Sequence, residues 1–363
     1  MLIKILWIII LKMNLVNINR VECQEKLLKD KEFKDWEFEN IQRDTRNKDD
    51  IKNIKKDLEE VGYSIINVID TENAHNIYEQ LIDNIIEYKM IPNDMVDDVR
   101  ELLVSYLLNT NNGIVSYGEY MTHCKALWEI RSNPNIVELM SKLYECNIDD
   151  LAVSFDTFGM RYAPELFKLM NIRYDELNEP LEPHIDQRFE LEEFEHYQGI
   201  YVVTDSETND DAGLVIYPST HKLHGRNLQN LLKTRENMDF IRYPREFFKL
   251  FPNSLGIKLN VKAGDLILWD SRTLHASISI NEFRENEITS YKMHDVFKLN
   301  RIVTYLCYTR RDLIKEIDLP INEIYKKGYA TNHMIRRPVI VPYDTYIDNK
   351  NENDNEIYKS LVR

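Results

Sequence analysis

The residues whose types and spacing could bind a metal are His184, Asp186 and, far downstream, His275. Successive side chains of a strand alternate between its two faces, so an imidazole and a carboxylate two residues apart share one face. Pro183 favours extended geometry here because it fixes its own φ and biases the residue before it. Two histidines and one carboxylate on one side of an Fe(II) ion leave the other side open for an oxidant and a co-substrate. These residues therefore predict a non-haem iron site.

The segment that precedes His275 supports this prediction. The run 262–265 (KAGD) is typical of a turn, since Gly264 supplies a positive φ and Asp265 tolerates one. The run 266–269 (LILW) then predicts a buried strand, and Trp269 is predicted to belong to the core. A histidine–x–aspartate tripeptide is common and needs context to indicate a metal site. A turn, a buried strand and a second histidine in this order provide that context.

The remaining chain predicts the elements that must hold these residues. Apolar residues at helical spacing predict a helix over 51–61 that ends at Gly62, followed by a strand over 63–69 and a second helix capped by Asp70 or Thr71. Further helices are predicted near 94–108 and 134–145. From about residue 151, short apolar runs between turns predict a mainly β protein with flanking helices, and a two-sheet jelly roll fits best. The predicted strands lie at 151–158, 199–204, 213–217, 256–261, 266–269 and 302–308.

The predicted domain organisation has three parts. Residues 1–50 form an N-terminal arm, 51–320 form the jelly-roll domain with an insertion near 226–253, and 321–363 form a C-terminal extension that is disordered in part, around 348–356 (DNKNENDNE). The apolar run 2–11 is too short for a membrane span and marginal as a signal peptide. Met13 offers an alternative start that would remove this run.

The charge balance limits the kinds of partner. Lys and Arg number 46 against 61 Asp and Glu, a formal net charge of −15 (46 − 61). This acidity argues against nucleic acid as an obligate partner, because phosphate binding draws on clustered positive charge. The four cysteines show no C-x-x-C spacing, which argues against a zinc ribbon or a redox dithiol.

Five motifs follow one another in a fixed order along the chain: 182–187 (EPHIDQ), 198–199 (QG), 211–215 (DAGLV), 217–221 (YPSTH) and 263–275 (AGDLILWDSRTLH). Together they resemble a known family, the phytanoyl-CoA dioxygenase-like branch of the Fe(II)/2-oxoglutarate oxygenases. The runs 128–131 and 153–156 are similar to a fungal and viral subgroup of that branch, and the resemblance spans about 120–310. It implies a double-stranded β-helix fold, which is a cupin-like jelly roll.

The resemblance also assigns residues. His184, Asp186 and His275 match the iron ligands, and an arginine on a late strand holds the distal carboxylate of 2-oxoglutarate. Arg301, which opens a predicted strand, is the best match, although the 26 residues that separate it from His275 (301 − 275) exceed the usual interval. The run 281–298 looks like an inserted loop, so Arg284 is a rival. Ser277 could touch the co-substrate, or be a plain strand serine.

The implied activity is that of a dioxygenase. Fe(II), 2-oxoglutarate and O2 yield succinate and CO2 while a substrate C–H bond is oxidised. Halogenating relatives lack the carboxylate ligand, so Asp186 favours hydroxylation or oxidative demethylation. A small-molecule substrate is favoured over a protein, a nucleic acid or a non-catalytic role. No membrane partner is expected, and a cytoplasmic location is favoured over the secretory pathway because the reaction needs Fe(II) and a 2-oxoacid.

Three residues within or next to these motifs have predicted roles as well. His221 is predicted to be a structural histidine held by hydrogen bonds rather than a metal ligand. Gln187 and Gln198 either reach the pocket or satisfy buried backbone groups.

Overall fold

The computed structural model describes residues 39, 41–88, 110–111, 114–115, 121–161, 181–208, 211–232, 239–278, 301–315, 319–341 and 356–362. Several predicted features lie outside these residues: the leader at 2–11, the helix at 94–108, the inserted loop at 281–298 with Arg284, and nearly all of 348–356.

Eight helices and sixteen strands are present among the described residues. The helices are α1 (Ile51–Glu60), α2 (Thr71–Tyr88), α3 (Lys125–Arg131), α4 (Pro134–Tyr144), α5 (Arg226–Leu232), α6 (Arg245–Leu250), α7 (Ile321–Lys326) and α8 (Glu356–Leu361). The strands are β1 (Arg46–Asn47), β2 (Tyr63–Asn67), β3 (Thr110–Asn111), β4 (Ile114–Val115), β5 (Leu151–Val153), β6 (Phe158–Arg161), β7 (Leu181–Ile185), β8 (Tyr197–Val202), β9 (Gly213–Ile216), β10 (Ile241–Arg242), β11 (Ile257–Lys258), β12 (Asp265–Asp270), β13 (His275–Ile278), β14 (Arg301–Arg310), β15 (Ala330–Thr331) and β16 (Ile340–Val341).

Two sheets form the body of the fold. The large sheet has the order β1-β2-β12-β8-β14-β6-β4-β3 with β5 on β14, and the small sheet has the order β10-β7-β13-β9-β11. The strands β7, β8, β9, β12, β13 and β14 fall alternately in the small and the large sheet as the chain proceeds. This alternation is the winding of a double-stranded β-helix, so the predicted jelly roll with flanking helices is confirmed.

Both faces of the strands are buried, because the two sheets pack against each other and helices cover their outer faces. Ile267 and Trp269 of β12 pack between the two sheets, whereas Leu266 and Leu268 of the same strand pack under the helices α1 to α4. On the far side of the small sheet, α5 and α6 pack over Ile185. A strand covered on both faces reads as a continuous apolar run, which explains the sequence of 266–269.

Gly264 sets the start of β12, as the predicted turn requires. Its φ is +96°, and a Cβ at this position would lie 2.1 Å from the carbonyl oxygen of Ile69. The Gly264 carbonyl accepts hydrogen bonds from the Val68 and Ile69 amides at 3.2 and 3.1 Å. The turn therefore packs backbone against backbone, and it fixes the register from which β12 runs towards His275.

Two predicted strands differ most from the observed ones. The run 151–158 divides into β5 and β6: the ten-residue strand β14 pairs with each in turn, and Ser154 to Thr157 belong to neither strand. The run 256–261 keeps only Ile257–Lys258 as a strand, although Val261 still forms an isolated bridge with Ser206. Among the described residues, no helix has the length and apolar character that crossing a bilayer requires.

Candidate metal centre

His184, Asp186 and His275 come together as the sequence predicts. Each offers a ligand atom within 4.8 Å of the other two. His184 lies near the end of β7, Asp186 follows that strand, and His275 opens β13 as the direct partner of His184 across the ladder. All three are buried, with 3 to 5% of their surface exposed. Strand pairing therefore provides the second histidine that the local sequence motif lacks.

Both histidines present the same nitrogen to the centre. Nδ1 of His184 donates to the carbonyl of Glu182 at 2.7 Å, and Nδ1 of His275 donates to the carbonyl of Thr273 at 3.0 Å. A carbonyl can only accept, so the proton must reside on Nδ1 and the Nε2 lone pair faces the centre. Burial lowers the pKa of His184 to about 4, which keeps the ring neutral at physiological pH. This orientation by outer hydrogen bonds is typical of metal-binding histidines.

The Asp186 carboxylate has one oxygen held and one free to bind. Oδ2 accepts a hydrogen bond from Nε2 of Gln198 at 2.8 Å and lies 3.2 Å from Nε2 of His275. Oδ1 is buried and has no hydrogen-bond partner among the described residues. Burial raises the pKa of this carboxyl, but the surrounding histidines, led by His333 and His184, lower it well below its usual range. Two imidazole nitrogens and an orphaned carboxylate oxygen form a donor set that suits a divalent transition metal.

Two arginines lie together in the same cavity. Arg301 is the cross-strand partner of Arg161, and both guanidinium-bearing residues are buried, with 8% and 2% of their surface exposed. The pKa of Arg301 is lowered to about 10, chiefly by burial; Tyr305 raises it and the charge of Arg161 lowers it by smaller amounts. Outside the backbone ladder, the guanidinium of Arg301 forms no hydrogen bond or ion pair with another described residue. A buried cation beside a second one is costly unless an anion joins them.

Ser277 connects the arginines to the metal end of the cavity. Its Oγ accepts a hydrogen bond from Nη2 of Arg161 at 2.8 Å. Ser277 and His275 are two residues apart on β13, so they share one face and are separated by about 7 Å along the strand. The Arg161 guanidinium therefore contacts the same face of β13 that bears His275.

The cavity that holds these groups has a volume of about 450 Å³. Between its two polar ends, the walls include Ile200, Leu214 and Tyr305. Phe240 packs against His184 with ring centroids 4.7 Å apart. Arg242, two residues further along the chain, also lines the cavity. Both belong to the segment between α5 and α6, whose strand β10 pairs with β7. That segment therefore contributes to the wall beside the candidate metal ligands.

The other predicted residues have identifiable roles. Gln198 reaches the centre through Asp186, whereas Gln187 binds backbone carbonyls of the loop 191–193 and accepts from Ser271. His221 is structural, since its Nε2 bonds to the carbonyl of Glu59 at 3.0 Å. Trp269 belongs to the core between the sheets and also lines the cavity, where it packs on His275 with ring centroids 5.1 Å apart.

Arg161 and His333 line the cavity although the sequence did not predict them as site residues. Arg161 ends β6, and its place beside Arg301 follows from pairing between distant strands. His333 comes from the C-terminal part of the chain, and its Nε2 lies 3.5 Å from Oδ1 of Asp186. Burial lowers the pKa of His333, but the Asp186 carboxylate raises it to about 9 in the metal-free centre. No periodic pattern in the sequence marks either residue.

Comparisons with known proteins give partial similarities. No protein-family model matches this chain. The chain is similar to the Ava biosynthesis cluster protein O of Aspergillus versicolor, with 27% identity over 166 residues that cover 43% of this chain and 50% of that protein. The chain thus spans about half the length of this curated relative.

Solved structures share part of the architecture. One is the non-heme alpha-ketoglutarate-dependent carbocyclase SnoK from nogalamycin biosynthesis, at 14% identity, 71% coverage of this chain, 83% of that chain and a TM-score of 0.44. Another is EctD from S. alaskensis with 2-oxoglutarate and 5-hydroxyectoine, at 10% identity, 71% and 75% coverage and a TM-score of 0.42. Because these scores are low, the fold is assigned from its own sheet order.

Proposed function

We propose that this chain is an Fe(II)- and 2-oxoglutarate-dependent dioxygenase of the phytanoyl-CoA dioxygenase-like branch, acting on a small organic molecule. The observation that carries the proposal is the pairing of two sites in one cavity. A buried donor set of two imidazoles and a carboxylate lies at one end, and two buried guanidiniums lie at the other.

The residues present fit iron. His184 and His275 would hold it through Nε2, and Asp186 through Oδ1, the oxygen that has no partner among the described residues. With 2-oxoglutarate and O2, such iron supplies the oxidising power for attack on a substrate C–H bond while succinate and CO2 form. The carboxylate ligand favours hydroxylation or oxidative demethylation over halogenation.

The arginine end fits the distal carboxylate of 2-oxoglutarate. Arg301 would bind it with two parallel hydrogen bonds, since a planar guanidinium matches the fork of a carboxylate. Arg161 adds a second positive charge and is oriented by Ser277. The step of two residues along β13 from His275 to Ser277 matches the reach of a five-carbon dicarboxylate. Placing the anion here would also relieve the repulsion between the two buried cations.

The rest of the cavity positions the substrate and excludes water. Its volume of about 450 Å³ falls within the roughly 300–1,000 Å³ typical of small-molecule sites. Phe240 covers His184, and Trp269 covers His275. These rings keep bulk water away from the metal ligands, which favours coupling of the reaction to the bound substrate.

Metal binding and co-substrate turnover test the proposal. Purified protein should bind one Fe(II) per chain, and alanine at His184, Asp186 or His275 should abolish this. Loaded protein should slowly convert 2-oxoglutarate to succinate without substrate, and N-oxalylglycine should inhibit the conversion. His75→Ala is a matched control, because this histidine is exposed on α2. Stoichiometric iron in all three alanine variants, or no succinate from the iron-loaded protein, would refute the proposal.

A further inference from the structure

A segment near the C-terminus, residues 329–341, forms part of the cavity wall; we call it the strap. Its first part is fixed by Thr331, whose amide donates to the carbonyl of Phe155 at 2.9 Å and whose hydroxyl accepts from the Phe155 amide at 2.8 Å. Its later part is fixed by Arg337, which pairs with Glu195 at 2.8 Å and with Asp239 at 3.4 Å. Anchors on both sides determine where the residues between them lie.

His333 lies between these anchors and reaches the metal centre. Its Nε2 is 3.5 Å from Oδ1 of Asp186. Both atoms are buried, and neither has a well-formed hydrogen bond to a described residue. Gln198 holds the other carboxylate oxygen, Oδ2. His333 is therefore aimed at the one oxygen of Asp186 that Gln198 leaves unheld.

His333 differs from the two ligand histidines in how its ring is held. His184 and His275 each donate Nδ1–H to a backbone carbonyl, which presets their tautomer for metal binding. The ring of His333 forms no such bond within the described part of the chain. It also lies outside the cluster whose ligand atoms are all within 4.8 Å of one another. These contrasts argue for an outer residue and against a fourth ligand.

We propose that His333 is a positioning residue that donates Nε2–H to Oδ1 of Asp186, so that Gln198 and His333 together fix both oxygens of the carboxylate. The inference rests on the proposed function in requiring a metal at the three ligands. Oδ1 has two lone pairs, so it can accept this hydrogen bond and bind a metal at once. A second donor would restrain rotation of the carboxylate away from the metal.

Three substitutions of His333 distinguish the effect of its hydrogen-bond donor from the effect of its imidazole ring. In His333→Gln the amide nitrogen takes roughly the place of Nε2, whereas in His333→Asn it takes roughly the place of Nδ1. His333→Leu keeps bulk without a donor. Co(II), which reports its binding through its visible spectrum, is titrated into each metal-free variant, with His75→Asn as the control. Thermal unfolding of each variant shows that it is folded.

We expect His333→Asn and His333→Leu to weaken Co(II) binding about 10- to 100-fold, the usual loss for an outer partner of a metal ligand. His333→Gln should bind within a few-fold of the unsubstituted chain. Unchanged Co(II) affinity in His333→Asn and His333→Leu would overturn the inference. A loss of affinity in His333→Gln equal to that in His333→Leu would also overturn it, since that result is expected if His333 is a metal ligand or has only a structural role. Succinate formation is measured separately, so that the proposed function can fail while this inference holds.

Discussion

Replacing Arg301 should separate binding of 2-oxoglutarate from binding of the metal. Arg301→Ala removes one of the two cations from the arginine end and leaves the distal carboxylate with Arg161 alone. Removing one partner of a buried charged pair typically costs about 3–5 kcal/mol. At roughly 1.4 kcal/mol per factor of ten, the apparent Kd for 2-oxoglutarate should rise by at least about a hundredfold. Because Arg161 remains as a second cation, we expect a loss near the lower limit. Iron binding should be unchanged.

Removing the charge of Arg301 should weaken 2-oxoglutarate binding but should not lower the stability of the ligand-free protein. Arg301 and Arg161 are buried cross-strand neighbours of like charge, and burial lowers the pKa of Arg301 to about 10. Arg301→Met keeps most of the volume and removes the repulsion. Burying a charge costs free energy in folding, so an apolar residue of similar size in its place should not lower the free energy of unfolding. The ligand-free variant should therefore unfold at equal or higher urea concentration, although it binds 2-oxoglutarate poorly.

Calorimetry under anaerobic conditions with iron-loaded variants measures these affinities. Arg301→Lys should recover only part of the loss, because an ammonium cannot make the two parallel bonds of a guanidinium. Arg284→Ala is the comparison that tests the assignment, and it should leave the Kd for 2-oxoglutarate nearly unchanged. A large loss in Arg284→Ala together with normal affinity in Arg301→Ala would reverse the assignment. Lower stability of Arg301→Met would refute the argument from repulsion.

Three further predictions concern the fold and the centre. Burial lowers the pKa of His123 to about 3 and of His224 to about 4, so both rings stay neutral in the folded state and gain a proton only on unfolding. Stability of the metal-free protein should therefore fall as the pH drops from about 6.5 towards 4, by up to about 1.4 kcal/mol per pH unit for each ring. Urea denaturation at several pH values measures this, and His123→Gln should reduce the slope. Gly264→Ala should lower stability by at least about 2 kcal/mol, because its φ of +96° and the Ile69 carbonyl exclude a side chain; an unchanged Tm would contradict this. Gln198→Met should weaken Co(II) binding about 10- to 100-fold by releasing Oδ2 of the metal-binding carboxylate, and equal affinity would show that this oxygen needs no donor.

Local signals in the sequence account for much of the fold. The apolar run 266–269 and the turn at Gly264 depend on rules that act within a few residues, and β12 extends the predicted strand by only one residue at each end. The shared face of His184 and Asp186 is local in the same sense. His275 is not local to them, but the order of motifs along the chain resembles a known family and so identifies it. The two-sheet winding then brings it opposite His184.

Arg161 shows why part of the site escapes such rules. Its position beside Arg301 depends on the register between β6 and β14, which are separated by well over a hundred residues. The apolar pattern predicts a strand that ends at Phe158, three residues too early. Within β6, Met160 packs under the helices while Arg161 turns towards the cavity. Arg161 is a buried charged residue that interrupts the apolar pattern of the strand where the strand borders the cavity. Predictions from local sequence patterns are expected to fail at functional sites for this reason.

The strap extends the same argument to a whole segment. Periodicity arises where one face of an element packs against a core, but the strap is fixed by individual polar contacts, such as those of Arg337 with Glu195 and Asp239. Contacts of this kind leave no repeating pattern in the sequence, which is why the chain after residue 320 gives no structural signal of its own. Asp239 directly precedes Phe240, the ring that covers His184. Arg337 thus ties the strap to the segment that bears Phe240, and through it His333 and Phe240 are both held beside the candidate metal ligands.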